Sequence, residues 1–203
     1  MAVAAAMLGS IAWQVIDRSI HNLFRPGEYF AYFTIQSSLI AALALILAGR
    51  SAIQAKAETR ALTLVRLSAV TSAVVVAIVY NLLLRDSAPL PADIGYDWPV
   101  PPNEILHVWG PVLILIDWLL ASALVQLKIK SIFWVLVFPL AWLIFSVIRG
   151  LATSWWPYWF IDPTGPGGVV SMVEFIFAIM FFLLLVALLV LTASRLTRRT
   201  KVK

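Results

Sequence analysis

The sequence predicts an all-α polytopic membrane protein: one domain over residues 1–203, a bundle of six transmembrane helices with both termini in the cytoplasm. Three observations predict it. Hydrophobic residues make up 62% of the 203 and charged residues 12%, where a soluble domain is about half apolar and a quarter charged. Mean hydropathy is +0.95. Six apolar stretches each approach the ~20 residues that a helix needs to cross the hydrocarbon core. Basic residues crowd alternate connections between those stretches.

The stretches cover residues 2–20, 29–48, 61–84, 105–127, 132–152 and 169–193. The first is the least apolar, because Asp17 and Arg18 interrupt it. It lacks the basic leading region of a signal peptide and is read as a span. The second opens Tyr-Phe-Ala-Tyr-Phe and then carries Thr34, Gln36, Ser37 and Ser38. The third ends with Asn81 and is followed by Arg85. The fourth begins at Asn103, Glu104 and His107 and contains Asp117. The fifth closes on Arg149, and the sixth holds Glu174 within its first turns. The chain has no Gly/Ser linker and no internal repeat, which counts against a transporter built from inverted repeats.

Orientation follows from charge. Arg50, Lys56, Arg60 and Arg66 surround the second connection, Lys128 and Lys130 the fourth, and Arg195, Arg198, Arg199, Lys201 and Lys203 follow the last span. Only Arg18, Arg25, Arg85 and Arg149 belong to the other side. The excess marks the cytoplasmic face, and the location expected is the cell membrane, crossed several times. The net charge of +5 is thereby assigned to anionic headgroups rather than to nucleic acid. All five tyrosines and five tryptophans (Trp98, Trp109, Trp155, Trp156, Trp159) fall at the outer face.

The absence of cysteine excludes disulfides, thiol catalysis and cysteine-ligated metal. There is no His-Glu-x-x-His and no Gly-x-Ser-x-Gly, so neither a zinc hydrolase nor a serine hydrolase of that type is expected. No metal or cofactor is expected. The two histidines, His21 and His107, would be the only pair for a b-type haem, but His21 lies in or beside a connection.

The polar residues of the spans converge on the outer leaflet. Thr34 and His107 come from different helices, yet each lies about one turn inside the outer boundary at ~1.5 Å per residue. Taken singly, a membrane serine or threonine is usually a packing or back-bonding residue, a lone histidine a structural one, and Arg149 a snorkelling anchor. Their common depth favours a site. Asp117 lies ten residues beyond His107, about 15 Å deeper and about 80° around the helix. It is placed near mid-membrane, out of reach of the imidazole and paired with Arg66.

The segments Tyr32-Phe-Thr-Ile-Gln-Ser-Ser, Asn103-Glu-Ile-Leu-His-Val-Trp-Gly-Pro with Asp117-Trp118 beyond, and Arg149-Gly-Leu-Ala-Thr-Ser-Trp-Trp-Pro-Tyr-Trp-Phe resemble the androgen-induced-gene family of integral membrane proteins. They occur in family order across most of the chain. Ser38 stands where many bacterial relatives carry asparagine. The resemblance implies an atypical threonine hydrolase of the kind that, in animals, cleaves fatty acid esters of hydroxy fatty acids. By the same resemblance Thr34 is the nucleophile and His107 the general base. Around them, Gln36, Ser37, Ser38 and Trp109 are candidate oxyanion donors, Asn103 or Glu104 would orient the imidazole, and Arg149 would hold a substrate carboxylate. Asn81 and Glu174 complete the polar cluster. The expected partners are membrane lipids and a lipid-ester substrate, and no oligomeric state is specified. The competing reading is a lipid- or quinone-binding protein or scaffold with no chemistry.

Overall fold

The computed structural model describes residues 1–121 and 124–201, with side chains up to residue 196. Lys203 and the side chains of Arg198, Arg199 and Lys201 lie outside the described residues. Among the described residues the regular structure is helical throughout. The main helices are α1 (Ala2–Ile20), the short α2 (Pro26–Tyr29), α3 (Phe33–Ile53), α4 (Arg60–Val79), α5 (Val100–Glu104), α6 (Gly110–Leu120), α7 (Val137–Thr153) and α8 (Gly168–Lys201). Three of them are extended by tighter or wider turns. α4 runs on through a π-turn at Tyr80–Leu84, a second π-turn at Ile105–Trp109 joins α5 to α6, and a 3₁₀ segment at Ile129–Leu136 leads into α7.

Five of the resulting rods are long and apolar enough to cross a membrane: Phe33–Ile53, Arg60–Leu84, Val100–Leu120, Ile129–Thr153 and Gly168–Leu196. α1 is a helix of 19 residues but is not among them. One stripe of it is polar and buried, with Ser10, Gln14 and Arg18 at successive four-residue intervals. That stripe is turned into the bundle, where Gln14 Oε1 accepts from the Tyr29 hydroxyl at 2.8 Å and Arg18 pairs with Asp93 at 2.6 Å.

α4 is the central helix, packed against α3, α6 and α8. Small residues allow the close approach: Ala41, Ala42, Ala44 and Ala48 of α3 and Ala69 and Ala73 of α4 are all buried, as expected where helices must pack without a hydrophobic drive from water. The bulky apolar side chains point outward instead, among them Leu43, Ile144, Phe177 and Phe181.

Several boundaries differ from those the hydropathy suggests, each for a local reason. The second span starts at Phe33, not residue 29. Pro26 begins the separate α2, and Tyr32 is extended (φ −62°, ψ 134°). The Gln36 amide also donates to the Phe30 carbonyl at 2.9 Å and folds the turn against α3. The fourth span starts at Val100, since Pro101 and Pro102 occupy the first turn, where a missing N–H costs nothing. It ends at Leu120 rather than 127, because Ala121 leaves the helix (φ −63°, ψ 124°). Asp117 is therefore one turn from the end of its helix and not at mid-span.

The π-turn at Ile105–Trp109 also has an identifiable cause. Pro111 has no N–H and its ring crowds the carbonyl four residues back. Just upstream the helix widens, and the Gly110 N–H bonds the Ile105 carbonyl five residues away. A Cβ on Gly110 would lie 2.6 Å from that same oxygen, so only glycine fits. In α4 the corresponding bond runs from the Arg85 N–H to the Tyr80 carbonyl at 2.8 Å.

Candidate active site

A cavity of about 280 Å³ opens at the end of the bundle where α1 and α4 finish and α3 and α5 begin. Thr34, the second residue of α3, and His107, the middle residue of the π-turn, both line it, together with Tyr80, Asn103, Tyr158 and Trp98. A second cavity of about 70 Å³ runs between α4, α7 and α8 and is almost wholly apolar. Thr34, Tyr80, Leu84 and Tyr158 belong to both walls. Thr34 thus stands at the junction of a polar chamber and an apolar slot.

The imidazole is held by two contacts. Its ring stacks on Tyr80, centroids 3.9 Å apart and planes 23° apart. Nδ1 lies 2.9 Å from the Asn103 carbonyl oxygen. A carbonyl only accepts, so Nδ1 carries the proton and Nε2 presents its lone pair. The Asn103 amide in turn donates to the Tyr80 hydroxyl at 2.6 Å, and the backbone and side chain of one residue brace both members of the stack. Arg85, over the Tyr80 ring at 5.1 Å, is tied to Glu104 at 2.7 Å. Glu104 is therefore engaged by arginine, and the backbone of Asn103 orients His107.

Thr34 is 7% exposed. α3 has no side-chain cap, and the first N–H groups of a helix have no partner within it. The Tyr158 hydroxyl meets this end of the helix, engaging the Thr34 side chain and the backbone N–H groups of Thr34 and Phe33. Burial pushes the phenol above its usual range even though these donors pull the other way, so it stays protonated and able to donate.

The chamber's far wall is an ion cluster. Asp93 accepts from Arg18 at 2.6 Å and from Arg25 at 2.7 Å, Arg25 also pairs with Glu28, and Trp98 covers the Arg18 guanidinium at 4.5 Å. Burial pulls the Asp93 carboxyl up, but the two guanidinium groups outweigh it and hold it below the ordinary carboxylate range.

The remaining candidates separate by position. Ser37 and Ser38 are buried but line neither cavity, and Ser37 donates back to the Thr34 carbonyl at 3.2 Å. Gln36 bonds the Phe30 carbonyl. Asn81 is exposed and accepts from Arg85. Trp109 is 60% exposed and points away from the bundle, and Glu174 is exposed. Arg149 lies over Trp155 at 4.2 Å, close to Gly27 of α2, outside the chamber. Arg66 bonds both Asp117 and Glu58 beside a separate small cavity between α3, α4 and α6, remote from the imidazole. Among the described residues no three His, Asp or Glu side chains gather as metal ligands.

Tyr80, Tyr158 and the Arg18–Asp93–Arg25 cluster were not singled out by the sequence. The two tyrosines read as members of an interfacial belt, and Arg18 as an interruption of the first span. The only available signal for the cluster was the cost of an arginine inside an apolar stretch, which implies a partner. The chain matches no protein-family model, no curated protein and no solved structure.

Proposed function

We propose that the protein is a membrane lipid-ester hydrolase with Thr34 as nucleophile and His107 as general base, acting on a fatty-acid ester of the hydroxy-fatty-acid type. The observation that carries this reading is the shared wall: Thr34 and His107 line one chamber, and Thr34 also borders an apolar slot. In this reading α1 is a sixth span, both termini are cytoplasmic and the chamber opens toward the outer leaflet.

The chemistry follows from the groups present. Thr34 Oγ1 attacks the ester carbonyl carbon while its proton passes to His107 Nε2. The carbonyl electrons move onto oxygen, where the Tyr158 hydroxyl is the donor for the oxyanion. Collapse breaks the bond to the alcohol oxygen, which takes the proton back from His107, leaving an acyl-threonine. Water then attacks that ester, giving its proton to His107. Release of the acid returns the proton to Thr34.

The test uses detergent-purified protein and a panel of fatty-acid esters that includes branched hydroxy-acid esters, with products followed by mass spectrometry. Wild type is expected to turn over at least one class, with losses of about 10³-fold or more in Thr34→Ala and His107→Ala. Saturable binding with no turnover of any ester by the folded protein would sink the hydrolase and support the lipid- or quinone-binding reading.

A further inference from the structure

The apolar slot has only one polar end. α4 and α7 run toward the chamber and α8 runs away from it, so Leu183, Val75 and Pro139 lie at the deep end, and Thr34, Tyr80 and Tyr158 at the mouth. Leu183 is 1% exposed and Val75 4%, so the wall at that end is part of the core. From Ile176 to Leu183 the wall is about 10 Å long at ~1.5 Å per residue.

Size decides what kind of apolar group fits. A volume of about 70 Å³ is under half of the ~150 Å³ that accepts a benzene ring in an engineered cavity. At roughly 10–15 Å³ per water-sized occupant, it holds a single file of about five to seven methylene-sized groups. A linear chain of that many groups is accommodated.

We propose that this slot is the acyl-chain site, that it takes an unbranched fatty acyl group with its carbonyl at Thr34, and that Leu183 sets the length of chain accommodated. The proposal rests on the hydrolase reading for its chemistry but not for the binding of the chain. The alcohol half of the ester occupies the 280 Å³ chamber, which has room for bulk and branching that the slot lacks. Selectivity is therefore strict on the acyl side and loose on the alcohol side.

Seating one methylene is worth about a fourfold gain in kcat/KM. In a series of esters with one alcohol and acyl chains of two to sixteen carbons, kcat/KM is expected to rise by about that factor per carbon and then level off near six to eight carbons. Leu183→Phe is expected to bring the plateau at least two carbons earlier, and Leu183→Ala to move it later. A radiolabelled octanoic acid with a diazirine at its far end, photolysed with wild-type protein, is expected to label the 176–183 or 139–143 peptides.

Label in the slot without turnover of any ester would keep the chain site and overturn the hydrolase. Thr34-dependent turnover whose chain-length profile ignores both Leu183 variants, with label elsewhere, would overturn the chain site and leave the hydrolase standing. Label outside the slot with no turnover would remove both.

Discussion

At the start of α3 the side chain that meets Thr34 is Tyr158, delivered by the connection after α7 rather than by the polar residues next to Thr34 in sequence. Ser37 and Ser38 are buried, yet Ser37 spends its hydroxyl on the Thr34 carbonyl, as serines in membrane helices commonly do. Gln36 holds the preceding turn. Thr34 and His107 were legible in the sequence because each is a polar residue about one turn inside an apolar stretch. Tyr158 was not, since Trp155-Trp156-Pro157-Tyr158-Trp159 has the composition of a membrane-interface belt. Only the return of that segment onto the first residues of α3 gives the phenol a different role. Tyr158→Phe keeps the ring and its stack on Phe160 and removes the one donor. Steady-state kinetics should give a kcat lowered about 10²-fold with KM little changed. An unchanged kcat would reduce Tyr158 to a packing residue.

Between elements, the connections do more than join spans. The segment after α4 is latched to α1 through Asp93, which receives both Arg18 and Arg25, and this latch forms one wall of the chamber. Neither charge of the Arg18–Asp93 pair could be matched by spacing, for 75 residues separate them. Asp93→Asn leaves the buried Arg18 with the Leu23 carbonyl and a weakened partner, a change worth about 3 kcal/mol. The sign with pH follows from the lowered carboxyl: its stabilisation is complete above the ordinary aspartate range near 4 and is lost as pH falls through the folded value. Thermal melts in detergent should show the variant melting well below wild type at pH 7, the gap closing below about pH 4. A gap of the same size at both pH values would mean that the latch is not electrostatic. The π-turns escaped sequence reading for a related reason. Pro111 announces a disturbance, but the widening at His107 depends on Gly110 accommodating the Ile105 carbonyl, a fact of packing rather than of pattern.

For the whole molecule, hydropathy sufficed for the all-helical architecture and five of the apolar rods. It failed at their ends, where prolines and extended residues decide. The end of α6 at Leu120 is the instructive case, because it moves Asp117 to within one turn of the helix terminus, where it meets Arg66, itself paired with Glu58. The proposed orientation is open to direct test because the chain contains no cysteine. Single cysteines at Ser87 and at Gln54, both exposed, probed in intact cells with a membrane-impermeant maleimide, should label at Ser87 only. Labelling at Gln54 and not at Ser87 would invert the topology and place the chamber on the cytoplasmic side.

The central claim is that Thr34 becomes acylated, and the most direct measurement is intact-protein and peptide mass spectrometry after rapid quenching with an activated fatty-acyl ester. The account predicts a mass increase of one acyl group, carried by the peptide containing Thr34. It should be absent from Thr34→Ala and strongly diminished in His107→Ala. Ester turnover that persists in Thr34→Ala, or an adduct that maps to any other residue, would contradict it.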